Sequence, residues 1–212
     1  MAIEALLAWI EPLVVPGFDP PPYDPQQARA TLAAAGRSAA DHERFLSRWN
    51  GCYALGGALH VLGAREAPPN QSLDAWNRAD GWRQAFGALV EGVTFFAESA
   101  FGDQFGYRDG KVVRLRVFDA RIERLAADFA EWLSFVSVES PRFLATDLFE
   151  QCVRRLGPLP PGGHFAPPPT WAPASPLRVD EMTVLPARDN MELRGAASMV
   201  GVSPSYRAGP RR

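Results

Sequence analysis

Apolar positions along this chain recur at helical spacing on either side of a middle stretch that alternates every second residue. Leu6, Leu7 and Ile10 share one side of a short opening helix that Pro12 ends. Residues Pro16 to Pro25 form a proline-rich loop. Asp24-Pro25 reads as a helix start and Gly36 as a helix stop. Ser38 followed by Asp41 suggests an N-cap for the next helix. There His42, Phe45, Leu46 and Trp49 fall at i, i+3, i+4 and i+7, a core-facing stripe that Asn50-Gly51 closes. Tyr53 to Leu62 reads as a strand weakened by Gly56-Gly57, and Ser72 to Ala79 as a short helix.

The clearest pattern runs from Val93 to Phe118 and predicts three strands, Val93–Glu98, Gln104–Tyr107 and Val112–Phe118. In the last, Val113, Leu115 and Val117 alternate with Arg114 and Arg116, which implies one buried and one wet face. Phe105 and Tyr107 form the apolar side of the middle strand. For the two apolar sets to share a face, Phe105 must pair with Val113. That requires a three-residue Arg108-Asp109-Gly110 loop with Gly110 in left-handed backbone. A two-residue Asp109-Gly110 loop would instead pair Phe105 with Arg114 and place an arginine on the aromatic face.

Arg121 to Val138 is predicted as a helix carrying Leu125, Phe129, Trp132, Leu133 and Val136 on one side. Ser140-Pro141 starts another, with Leu144, Leu148, Cys152 and Leu156 at fourfold spacing. Beyond Gly157-Pro158 the composition turns to proline and glycine, an extended connector in which His164 is mobile. Val179 to Leu185 suggests a short strand, Asp189 to Arg194 a short helix, and residues 203–212 a basic tail. The expected organisation is an N-terminal segment 1–24, an α+β domain 25–157 and a proline-rich extension 158–212.

Composition narrows the function. With 212 residues, 47% hydrophobic and 22% charged, the chain is of ordinary globular make-up. A net charge of −2 gives no global pull toward nucleic acid or membrane. No apolar run spans a bilayer, and the N-terminus lacks a secretion signal, so the expected compartment is the cytoplasm. Cys52 and Cys152 have no metal spacing and read as buried thiols. His42, His60 and His164 are isolated, and no nucleophile elbow or phosphate loop is present, so no catalytic, metal or cofactor residue is assigned. Glu91, Glu98, Asp103 and Asp109 are candidates for an acidic rim that meets a basic partner, with Trp76 and Trp82 as candidate binding anchors. Arg108, Lys111, Arg114 and Arg116 form a small basic cluster, read as a solvated sheet face.

The order of features resembles a known family. A helix ends in Trp49-Asn50-Gly51, and an apolar strand pair FFAESAFGDQFGYRDGKVVRL follows. A closing FAEWL helix comes next, so that Phe96, Phe101, Gly102, Phe105, Gly110, Phe129, Trp132 and Leu133 take the matching places. Residues 25–137 thereby resemble the SUKH superfamily of fungal Smi/Knr-type regulators and bacterial immunity proteins. The resemblance implies an α+β fold, a mostly antiparallel curved sheet with helices packed on one side. It further implies protein binding without catalysis. The expected partner is a cognate toxin encoded nearby, and the expected state is a monomer or weak homodimer. A general regulatory binding module is the alternative. An enzymatic role would need convergent polar groups on the sheet, and the apolar Phe105, Val113, Leu115 and Val117 speak against it.

Overall fold

A computed structural model describes residues 2–16, 22–65, 72–171 and 175–201. Its centre is an antiparallel meander of six strands paired in chain order. These are β1 (Cys52–Ala54), β2 (Leu59–Val61), β3 (Thr94–Ser99), β4 (Gln104–Arg108), β5 (Lys111–Arg116) and β6 (Arg121–Ala126). The α+β class and the antiparallel sheet are as expected. Residues 53–62 form a hairpin, however, because Leu55, Gly56 and Gly57 all take positive φ and turn the chain back on itself.

The hairpin between β4 and β5 corrects the expected register. Arg108 pairs with Lys111, so the loop is the two-residue Asp109-Gly110, with φ of 51° and 66°. Both left-handed positions make this a type I′ turn. Tyr107 then faces Val112, and Phe105 faces Arg114. The three-residue loop follows from the need to keep arginine off the aromatic face. That need vanishes because neither face of the sheet is wet. Val113 and Leu115 are buried on one side, and Val112 on the other. Arg114 lies over the Phe143 ring at 5.8 Å and is ion-paired to Asp103, which also accepts from Val117 N at 2.8 Å.

One face is covered by α1 (Ile3–Ile10), α3 (Ala40–Arg48) and α5 (Phe129–Phe143). Before them α2 (Pro25–Leu32) starts at Asp24, whose carboxylate accepts from Gln26 N and Gln27 N. The stripe on α3 buries His42, Phe45 and Leu46 as its period predicts. Its expected cap differs: the Ser38 hydroxyl donates to the Gly110 carbonyl and so ties this turn to the β4–β5 hairpin. The predicted helix over 121–138 begins only at Phe129, where Asp128 accepts from Glu131 N. Residues 121–126 pair with β5 instead. A free strand edge outbids the weak helical preference of Arg-Ile-Glu-Arg. α5 kinks at Glu139 ahead of Pro141, and α6 begins at Thr146, later than Ser140-Pro141 suggests. It buries Phe149 and Cys152, while Leu156 stays partly exposed.

The other face is covered by Trp76, Trp82 and the C-terminal segment. The proline-glycine connector contains β7 (Gly163–Ala166), which pairs with β8 (Thr183–Pro186). α7 (Ala187–Gly201) starts earlier and runs further than the expected helix. The tail over 203–212, residues 17–21 of the first loop and 172–174 of the connector lie outside the described residues. Segments at both ends of the chain therefore contribute to one core, which holds Ile3 and Leu6 as well as Ala187 and Met191.

His42 is stacked on Phe129 at 4.4 Å between centroids, with the Tyr107 hydroxyl 3.3 Å from Nδ1. Burial lowers its pKa to about 3. The unfolded chain therefore binds this proton between about pH 6.5 and 3 and the folded chain does not, so stability is lost as pH falls through that window. From pH 6.5 to pH 5 the loss from this one group is about 2 kcal/mol. Denaturant melts of His42→Phe should show an acid limb shallower by that amount over the same range. An unchanged slope would mean that His42 does not stay neutral in the fold.

Candidate functional site

The sheet register lines up a row of polar side chains. Tyr53 pairs with His60, His60 with Glu98, and Glu98 with Gln104. Directly opposed residues of antiparallel strands share a face, so these four side chains form one line across β1 to β4. Glu98 and Gln104 flank the tight turn at 99–103, where Ser99 N donates to the Asp103 carbonyl. The row is covered. Glu98 is 2% exposed, His60 3% and Gln104 0%.

Each carboxylate oxygen of Glu98 has a defined environment. Oε1 lies 2.9 Å from His60 Nδ1, and Oε2 accepts from Gln104 Nε2 at 3.0 Å. The same Oε2 lies 3.3 Å from Nε2 of His164, delivered by β7 from above the sheet. That approach lacks the alignment of a hydrogen bond and acts as an electrostatic contact. A carboxylate only accepts, so the His60 proton sits on Nδ1. His164 Nδ1 faces the Asn190 amide nitrogen at 3.2 Å and accepts from it, which leaves the His164 proton on Nε2, toward Glu98. Burial pushes the Glu98 carboxyl up. The contacts with His164 and then His60 outweigh this and hold it below the ordinary carboxylate range.

The network extends at both ends. Trp76 Nε1 donates to Gln104 Oε1 at 2.7 Å, and Trp82 Nε1 donates to the Trp76 carbonyl at 3.0 Å. Tyr53 stacks flat on His60 at 4.1 Å, and its hydroxyl accepts from Gly162 N at 2.8 Å. On α7, Asn190 Nδ2 also donates to the Phe101 carbonyl at 3.4 Å. Arg194 Nε donates to Asn190 Oδ1 at 3.4 Å, while its terminal nitrogen binds the Pro167 carbonyl. The junction is therefore the place where the C-terminal segment is fastened to the sheet.

Gly102 shows how closely the two halves approach. A Cβ there would lie 2.9 Å from Asn190 Nδ2 and 3.1 Å from His164 Nδ1, and φ is +99°. Gly102 belongs to the turn that the family resemblance singles out, yet the contact that requires it comes from residues 60 positions or more downstream. Asn50 and Gly51 form a second brace. Asn50 Oδ1 accepts from Ala64 N at 2.7 Å, and a Cβ on Gly51 would meet Gly63 N at 2.8 Å. Phe96, Phe105 and Trp132 interlock beneath α5, Phe101 packs on Phe165, and Gly110 completes its turn.

The candidate partner-binding residues do not form one surface. Trp76 and Trp82 are 4% and 2% exposed and face inward, so they are core aromatics with satisfied N–H groups and not free anchors. Glu98 lies inside the junction. Asp103 is taken up by Arg114 and Val117 N. Only Glu91 and Asp109 are exposed, so the four acids make no continuous rim. Asp109 is a turn residue, and Arg108 beside it donates to the Leu89 and Glu91 carbonyls. His164 is corrected from mobile to buried, at 1% exposure. Gln104 and Asn190 are not singled out by the sequence, and His60, expected to be isolated, pairs with Glu98. The opposition of Glu98 and Gln104 was readable from the short turn between them; His164 had no local signal in its proline-rich surroundings.

Among the described residues no group of three or more His, Cys, Asp or Glu is arranged to hold a metal ion. Burial raises the Cys52 thiol to about 12, and raises Cys152 too, so neither is an activated nucleophile. Among the described residues no helix is long and apolar enough to cross a membrane.

No family model matches the chain. No curated protein matches it either. Among solved structures it is similar to the crystal structure of Atu4351 from Agrobacterium tumefaciens. The TM-score is 0.62 at 14% identity, over 92% of this chain and 89% of that one. That likeness shows the fold, and it extends well past the central sheet to the segments that build the junction.

Glu98→Gln should cost about 1–3 kcal/mol near neutral pH, because an amide with one oxygen cannot accept from both His60 Nδ1 and Gln104 Nε2 and leaves a buried donor unpaired. The stabilisation from Glu98 is complete above about pH 4.5, its ordinary value, and is lost as pH falls toward the lower folded value. Melts of Glu98→Gln should therefore lack the wild-type decline below pH 4.5; an equal decline in both proteins would refute the ionised assignment. Gly102→Ala should loosen the C-terminal segment first. Hydrogen exchange in β7 and α7 should rise by at least about tenfold while β3 to β5 stay protected.

Proposed function

We propose that this chain is a protein-binding protein without catalytic activity, an immunity protein that neutralises a cognate toxin by direct contact. One observation carries the reading: the fully buried cluster of titratable groups, His60, Glu98 and His164, lies at 1–3% exposure beneath the chain's own C-terminal segment. A catalytic acid or base must reach a substrate atom within hydrogen-bond distance. Here both carboxylate oxygens of Glu98 are already occupied by side chains of the same chain. The cluster's chemistry is spent on fastening the fold, which leaves the surface as the working part.

The resemblance of residues 25–137 to the SUKH superfamily supplies the class of partner. The residues that carry it, Asn50, Gly51, Phe96, Phe101, Gly102, Phe105, Gly110 and Trp132, build turns and core. This is the pattern of a scaffold whose function lies in the surface it carries.

Co-expression tests the reading. The chain should co-purify with a toxin-domain product of the neighbouring reading frame and restore growth of cells that produce it. Glu98→Gln that still folds should protect as well as the wild type, because Glu98 has no contact role. Protection without a stable complex, or turnover of the toxin or its product by the purified chain, would overturn the proposal.

A further inference from the structure

The six-stranded sheet has two outer edges, and they are treated differently. The edge of β1 is closed by the N-terminal segment: Val14 bridges Ala54, and Val15 N donates to the Tyr53 carbonyl at 2.8 Å. The edge of β6 has no strand, bridge or loop backbone bound to it among the described residues. It is six residues long, and Arg121, Glu123 and Arg124 along it are exposed. An open edge of this length presents a row of unpaired N–H and C=O groups.

Beside this edge lies a shallow apolar groove of about 470 Å³, lined by Leu125, Phe135, Val138 and Phe143 with Glu139 and Arg142 at its rim. Val138 is 70% exposed, the largest such value among the described large hydrophobic side chains. The groove and Glu123 lie on the same side of the sheet. Glu123 lies 3.6 Å from Arg114 Nη1, and Arg114 lies over the Phe143 ring. Strand period places Arg121 on that side too.

The spacing of charge selects the occupant. In an antiparallel pair, opposed residues share a face, so two copies of β6 related by a twofold axis normal to the sheet keep their helix-covered sides together. Only registers centred on a residue satisfy this. Centring on Arg121, Glu123 or Arg124 sets a like charge against itself. Centring on Ile122 sets Arg121 against Glu123 of the second copy, twice, with Ile122 against Ile122 between them. Charges on an edge strand commonly ward off pairing. Opposite charges two residues apart on one face do the reverse for this single register. Arg121 has no ion-pair partner among the described residues.

We infer that two copies of this chain associate through antiparallel pairing of β6 about Ile122, which extends the sheet across a twofold axis and brings the two grooves side by side. The contact is small, so the dimer is weak and concentration-dependent.

Sedimentation equilibrium on the full chain tests this. The wild type should dimerise reversibly. Arg121→Glu and Glu123→Arg should each weaken the dimer by about tenfold, since each replaces two attractive pairs by two repulsive ones. The double variant R121E/E123R should restore it to within about threefold, an outcome that binding of any other strand does not predict. Because the substituted positions are exposed, circular dichroism should show all three folded. Ile122→Cys should oxidise to a covalent dimer and Arg124→Cys should not. A wild type that stays monomeric to roughly 1 mM, single variants that dimerise as the wild type does, or a double variant that fails to recover would each overturn the inference.

Discussion

The structure depends on keeping one buried carboxylate satisfied. Glu98 sits in the middle strand region of a sheet covered on both faces, where an unpaired charge would cost several kcal/mol. Its partners come from three separate parts of the chain: His60 from β2, Gln104 from β4 and His164 from β7. Meeting that requirement sets the register of the first four strands and draws the C-terminal segment onto the sheet. Trp76, Asn190 and Arg194 then take fixed places because each satisfies a polar atom of the same network.

This arrangement explains why residues 163–166 of a proline-glycine connector form a strand. Its own sequence offers few backbone hydrogen bonds and little helical or strand preference. What orders β7 is the imidazole of His164 above Glu98, the Phe165 ring against Phe101 and Phe149, and Phe165 N donating to the Ala100 carbonyl. Gly102 permits the approach by having no side chain. Local preference was weak there, and tertiary contact decided the outcome.

Covering both faces also changes what alternation means. In a half-exposed sheet the polar members of an alternating strand face water. Here Arg114 is on the aromatic side and is held by Asp103 and the Phe143 ring, while β6 alone keeps an exposed polar row. The same double cover separates the acidic residues that a one-sided sheet would have gathered into a rim. It leaves the surface chemistry to β6, its neighbouring groove and the exposed loops.

By itself the sequence determined the α+β class, the stripe on α3, the cap at Asp24, the three central strands and the apolar faces that carry Phe105 and Trp132. These rest on period and local chemistry, which act over a few residues. The tertiary structure alone decided the two-residue turn at Asp109-Gly110, the strand at 121–126 in place of a helix, and the burial of Trp76, Trp82 and Glu98. It alone joined His60, Glu98, His164 and Asn190, whose positions span 130 residues of chain. Periodicity tells which residues leave water, but not which distant residue meets them there. That meeting is fixed by the need to pair every buried polar atom at once, a condition no local stretch of sequence can express.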